Sequence, residues 1–140
     1  MTAVDEPTHS RAAADRARKA RGQEAEARAA AFLVDHGYDV HATNVRVGRQ
    51  ELDIVAFDDD VLCFVEVRSR RGTGDFSAKA SVSPTKQKNL MKAALKFLTT
   101  WPQPHPPCRF DVVADEDGVL ELVQHAFAFD PAVIDERRRR

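Results

Sequence analysis

The stretch Glu51-Leu-Asp-Ile-Val-Ala-Phe57, Asp58-Asp-Asp60, Val61-Leu-Cys-Phe-Val-Glu-Val-Arg68 decides the fold. Two β-rich runs flank a short acidic turn, which predicts a hairpin. Val61 to Val65 is an unbroken apolar run, the pattern of a strand buried on both faces. Alternation puts Glu51 and Asp53 on the face of Val55 and Phe57, and Glu66 and Arg68 on the face of Leu62 and Phe64. The turn leaves the register open. Two turn residues, Asp59 and Asp60, pair Asp58 with Val61 and therefore Asp53 with Glu66. Three turn residues pair Asp53 with Val65 and set the two acids on opposite faces.

In the first register two carboxylates lie side by side near a strand end. Both cannot stay ionised in a dry site. A divalent cation removes the conflict, and hard oxygen ligands suit Mg²⁺. Such a cation generates hydroxide and offsets the charge that builds on a phosphate under attack. Arg68, two residues beyond Glu66, adds a positive charge for that phosphate.

Upstream, a helix is predicted from about Gln23 to His36, stopped by Gly37. Glu26, Ala29, Ala30 and Leu33 share its inward stripe, so a carboxylate heads that stripe. Tyr38–Asn44 reads as a short strand. Downstream, Gly72-Thr-Gly74 begins a loop. Ser83 caps a second helix and Pro84 takes its first position. That helix runs to about Thr99 on the stripe Leu90, Ala93, Ala94, Phe97 and Leu98. Its Lys86, one turn before Leu90, either reaches inward or snorkels to solvent. Phe110–Ala114 and Val119–Val123 are strands about the turn Asp115–Gly118, and Asp111 reads as structural. Phe127, Phe129, Val133 and Ile134 suit a last packed segment. The expectation is an α/β fold, a mixed central sheet flanked by helices in the order α-β-β-β-α-β-β, with a right-handed crossover before the fourth strand.

With 140 residues and a net charge of -1, the chain suits one domain. We place it at residues 22–130, between a flexible tail at 1–21 and a basic tail at 131–140. The longest apolar runs, Ala29–Val34 and Val61–Val65, fall far short of the ~20 residues of a membrane span. No secretory signal is visible, and two cysteines make no disulfide scaffold. A reduced, cytoplasmic protein with no membrane contact is expected. Five scattered histidines and two thiols give no zinc spacing. Charge is unevenly spread. Residues 61–100 carry 8 Lys/Arg and 2 Asp/Glu, whereas residues 1–60 carry 8 and 12. A basic middle attracts a polyanion, and the acids beside it repel one unless cations intervene.

The motifs Gly22-x-x-x-Glu26-x-x-Ala29, Asn44, Glu51-Leu-Asp53-Ile-Val, Phe64-Val-Glu66-Val-Arg68, Ser81-Val82-x-x-x-Lys86 and Cys108-Arg-Phe-Asp-Val-Val113 occur in that order. Together they resemble the YraN family of small bacterial proteins. That family is grouped with the restriction-endonuclease-like, PD-(D/E)XK nucleases and is similar to archaeal Holliday-junction resolvases. The resemblance runs from about Gly22 to Phe127. It implies a Mg²⁺- or Mn²⁺-dependent endonuclease acting on branched or otherwise structured DNA. It also implies that Asp53 and Glu66 bind metal, that Glu26 completes the site, and that Arg68 fills the motif's basic position. Glu51, of the Glu-x-Asp signature, and Lys86 are additional catalytic candidates. Cutting two strands of a junction calls for two sites, hence a homodimer as in the resolvases.

Two positions depart from the pattern. Arg68 stands where the motif has lysine, and a guanidinium does not shed its proton. Arg49 and Gln50 replace glycines, which makes Arg49 a candidate phosphate contact. Arg70, Arg71, Lys79 and Lys86 are the other candidates for binding nucleic acid. Lys88, Lys92 and Lys96 form a helical ridge that is either a solvated face or a track for a phosphate backbone. The alternative to a nuclease is a non-catalytic nucleic-acid-binding protein with a vestigial site.

Overall fold

The computed structural model describes residues 6–69 and 82–133. Arg70, Arg71, Lys79, Ser81, the loop at 72–74 and residues 134–140 lie outside them.

The chain order is α1 (Glu6–Asp35), β1 (Asp39–Val47), β2 (Gln50–Asp58), β3 (Val61–Ser69), α2 (Pro84–Leu98), β4 (Cys108–Glu116) and β5 (Val119–Phe127), then a single 3-10 turn at Pro131–Val133. The five strands form one sheet in the order β1-β2-β3-β4-β5. β3 and β4 pair in parallel across α2 and the other neighbours are antiparallel. This is the mixed α/β sheet and the element order expected from sequence.

α1 ends as its sequence dictates. Gly37 takes φ +88°, a conformation that costs glycine nothing. The Tyr38 N–H then donates to Leu33 O at 2.9 Å and the Gly37 N–H to Val34 O at 3.0 Å, closing the last turn in a Schellman motif. The start differs from the prediction, at Glu6 rather than Gln23. Residues 11–24 are exposed, so no apolar stripe marks them. Alanine and arginine, both strong helix formers, carry the helix outward on propensity alone. α2 begins as predicted, with Ser83 Oγ accepting the Lys86 N–H at 3.2 Å and proline in the first turn.

Two apolar layers hold the helices to the sheet. Leu52, Val55, Leu62, Phe64, Phe110 and Val112 pack under Leu90, Met91, Ala94 and Leu98 of α2. Ile54, Ala56, Cys63, Val65 and Val113 pack under Ala29 and Leu33 of α1. Phe127 and Phe129 join the α2 layer.

The hairpin takes the two-residue turn, Asp58 pairing with Val61 and Ile54 with Val65. Within β2 the alternation breaks. Ile54 and Ala56 face α1, Val55 faces α2, and Leu52 faces α2 as well. Regular pleating would put Leu52 with Ile54. The break falls at Asp53, opposite Asn44 of β1, which sits at φ +53° between the pairs Thr43–Ile54 and Val45–Leu52. This corrects the expectation that Glu51 and Asp53 share the face of Val55 and Phe57. The phase shift carries Glu51 to the α1 side.

Candidate metal centre

Glu26, Glu51 and Asp53 offer ligand atoms that all lie within 4.8 Å of one another. Each comes from a different structural cause. Ala25, Ala29 and Leu33 pin α1 to the sheet, and Glu26 lies beside Ala25 on that stripe. The phase shift in β2 turns Glu51 toward it. Asp53 sits at the break itself, where its Oδ2 accepts the Val67 N–H at 2.9 Å. The β2–β3 ladder is paired only as far as Ile54 and Val65. Asp53 therefore replaces a ladder bond where the strands part.

Glu66 belongs to the neighbourhood but not to that tight trio. It is buried on β3, and its Oε2 lies 3.7 Å from Lys86 Nζ at the head of α2. Lys86 thus reaches inward. Arg68 is half-buried on the same strand and, with Lys86, favours the ionised form of Glu66. Arg49 is exposed in the β1–β2 turn, two residues before Glu51. The void between Asp53, Glu66 and the apolar floor of Phe64, Leu90 and Phe110 measures about 10 Å³, at the limit for one water.

The electrostatics are those of acids without enough cations. Burial, then the charges of Asp53 and Glu51, push Glu26 up to about 7, against a smaller opposing effect of the Asn44 side chain. Burial, then Asp53, push Glu66 up to about 8, opposed by Lys86 and Arg68. Glu26 Oε2 is buried with no hydrogen-bond partner among the described residues. An orphaned carboxylate oxygen inside a group of acids is what a hard divalent cation satisfies. Oxygens gathered within 4.8 Å of each other need only a small inward shift to meet one hard cation, which binds oxygen at about 2.0–2.1 Å in the case of Mg²⁺. The donor set therefore fits Mg²⁺ or Mn²⁺.

Two contributions are only partly legible in the sequence. Asn44 is legible only as a motif letter, although asparagine tolerates positive φ better than most residues. Glu51 has no role assigned by its spacing, yet it stands in the trio where Glu66 is expected.

A second polar cluster is built differently. Asp111, fully buried on β4, accepts bonds from Arg109 Nε at 2.8 Å, Arg109 Nη2 at 2.9 Å, Tyr38 OH at 2.7 Å and the His125 N–H at 2.9 Å. Arg109 also donates to Asp58 at 2.8 Å. Burial alone would raise the Asp111 carboxyl, but Arg109 and the other donors hold it below its ordinary value. The structural reading of Asp111 agrees with this saturation.

No helix among the described residues is long and apolar enough to cross a membrane. Comparison with known proteins supplies the family. A UPF0102 protein of Cupriavidus pinatubonensis is 47% identical over 115 residues, covering 81% of this chain and 90% of the relative. One from Symbiobacterium thermophilum is 42% identical over 111 residues, covering 76% and 94%. One from Chlorobium phaeobacteroides is 41% identical over 93 residues, covering 66% and 74%. The model of the uncharacterised protein family UPF0102 matches residues 25–114, which span both helices' packed faces and every carboxylate of the candidate centre. The chain belongs to that family, UPF0102, which is the YraN family.

Proposed function

We propose that the chain is a divalent-cation-dependent endonuclease that hydrolyses phosphodiester bonds in branched or otherwise structured DNA. The observation that carries this reading is the orphaned Glu26 Oε2 within the Glu26–Glu51–Asp53 trio. Glu26, Glu51 and Asp53 would hold Mg²⁺ or Mn²⁺, with Glu66 beside Asp53. When bound, the cation supplies Lewis acidity, making water a better nucleophile and compensating charge at the phosphate.

The remaining work falls to the chain. The Asp53 carboxylate is held in place by the Val67 N–H, so its orientation is set before any ligand arrives. Glu66, beside Lys86, is placed to orient a water and receive its proton at a carboxyl oxygen. The Arg68 guanidinium would attract the scissile phosphate. Lys86, 3.7 Å from Glu66, would add a second positive charge. Cutting both strands of a junction needs two such centres, so the reading includes a homodimer.

One observation favours a second reading. Arginine in place of the motif's lysine removes a side chain able to shed a proton, as a nucleic-acid binder with a vestigial site would tolerate. A single assay separates them: labelled linear, flapped and four-way-junction DNA incubated with Mg²⁺, Mn²⁺ or EDTA, beside Asp53→Asn. The nuclease reading expects metal-dependent cutting, strongest on a branched substrate and at least about 100-fold weaker in Asp53→Asn. Salt-sensitive binding without cutting would establish the second reading instead.

A further inference from the structure

We propose that the exposed stretch of α1 at residues 11–24 is a duplex-gripping arm that holds the phosphate backbone of nucleic acid beyond the carboxylate centre. The inference rests on the nucleic-acid reading of the site and adds a surface that the site itself does not contain. α1 is 30 residues long; from residue 11 onward its packed residues begin at Ala25, and residues 11–24 are all exposed. The helix leaves the sheet where Glu26 stands over Asp53 and Arg28 bonds Asp115 at 2.7 Å. From Glu6 to Glu24 it continues for about 28 Å, the length of roughly eight base-pair steps.

The arm has a defined charge. Residues 11–21 hold Arg11, Arg16, Arg18, Lys19 and Arg21 against the single acid Asp15. It also has a defined face. Arg18 and Arg11 precede Ala25 by seven and fourteen residues, which keeps them within about 40° of its stripe. Lys19 precedes Glu26 by seven. The face that packs on the sheet and carries Glu26 therefore becomes, past the sheet edge, a cationic face beside the acidic centre. Asp15 pairs with Arg18 at 2.6 Å. Both are exposed, so a phosphate displaces that pair at little cost. A polyanion repelled by the acids gains cations one or two turns away.

The test is salt-dependent binding of a labelled DNA duplex in EDTA, where the carboxylate centre takes no part. The full chain is compared with Arg11→Gln/Arg18→Gln/Lys19→Gln, whose glutamines preserve helix propensity, and with a chain lacking residues 1–21. The log–log salt slope should fall by about 2–3 in the substituted chain and by at least that much in the shortened one, and binding should weaken at least about tenfold in both. An unchanged slope overturns the arm. So does a substituted chain that binds normally but changes from dimer to monomer, which would make the face a contact between copies. The two readings fail separately. Cutting that survives with an unchanged slope removes only the arm, whereas arm-dependent binding without cutting removes only the nuclease.

Discussion

Asp53 and Asp111 do the same backbone work on one sheet amid opposite electrostatic surroundings. Each accepts a main-chain N–H at 2.9 Å where a ladder is interrupted, Asp53 from Val67 and Asp111 from His125. Each break has a residue at positive φ on the neighbouring strand, Asn44 at +53° and His125 at +55°. Around Asp111 the chain supplies Arg109 and Tyr38, and the carboxyl falls below its ordinary value although it is fully buried. Around Asp53 it supplies Glu26, Glu51 and Glu66, and two of those acids are pushed up to about 7 and about 8. Burial raises all three carboxyls, and only around Asp111 do the partners outweigh it. One cluster is satisfied within the chain, and in our proposal an added cation completes the other.

Breaking each cluster should therefore act in opposite directions. Asp111→Asn strips charge from a buried network and leaves Arg109 short of a counterion. We expect a loss of about 3 kcal/mol in urea unfolding. Asp53→Asn keeps an acceptor for the Val67 N–H and removes repulsion from Glu26 and Glu66. Without divalent cations it should melt at the same temperature or about 3 °C higher, while cleavage disappears. Equal destabilisation by both substitutions would erase the distinction.

The contrast also sets a pH profile. Glu26 and Glu66 bind protons more tightly folded than unfolded, so they weaken the cation-free fold as pH rises from about 4.5 to about 8. Asp111 binds its proton less tightly folded, so its contribution is present above about 3.8 and is lost as pH falls below that. The cation-free melting temperature should peak near pH 5 and decline toward pH 8. Mg²⁺ should restore it at pH 8 and change little at pH 5. A flat alkaline limb, measured by calorimetry, would remove the electrostatic argument for the site.

The smallest effect concerns the strand break. Asn44→Ala places a Cβ residue at φ +53° without the polar side chain that tolerates it. It should cost about 1 kcal/mol, and Asn44→Gly should cost less. Equal stability of the alanine and glycine variants would mean that the break does not depend on this backbone conformation.

What is legible in the sequence follows periodicity and punctuation. Gly37, Ser83-Pro84 and the acidic turn at 58–60 locate their elements because each acts locally on the backbone. The hairpin register needs only the choice of turn length. The break at Asp53 is not legible, because reading with period two assumes an unbroken pleat. Its cause, Asn44, lies on another strand. The start of α1 is hidden for a different reason: no stripe exists where nothing packs. The network of Tyr38, Asp58, Arg109 and Asp111 joins positions far apart in the chain, and only the fold brings them together. Glu26 is the most informative residue of the site, since a carboxylate on an apolar stripe demands a partner or a ligand.

Everything proposed for the site depends on a cation's place among Glu26, Glu51 and Asp53. Titration with Mn²⁺, followed by electron paramagnetic resonance at pH 8, tests that place without nucleic acid or turnover. We predict one bound Mn²⁺ per chain, with affinity at least about tenfold lower in Glu26→Gln and in Asp53→Asn. No bound Mn²⁺, or binding undiminished in both variants, would refute the metal centre.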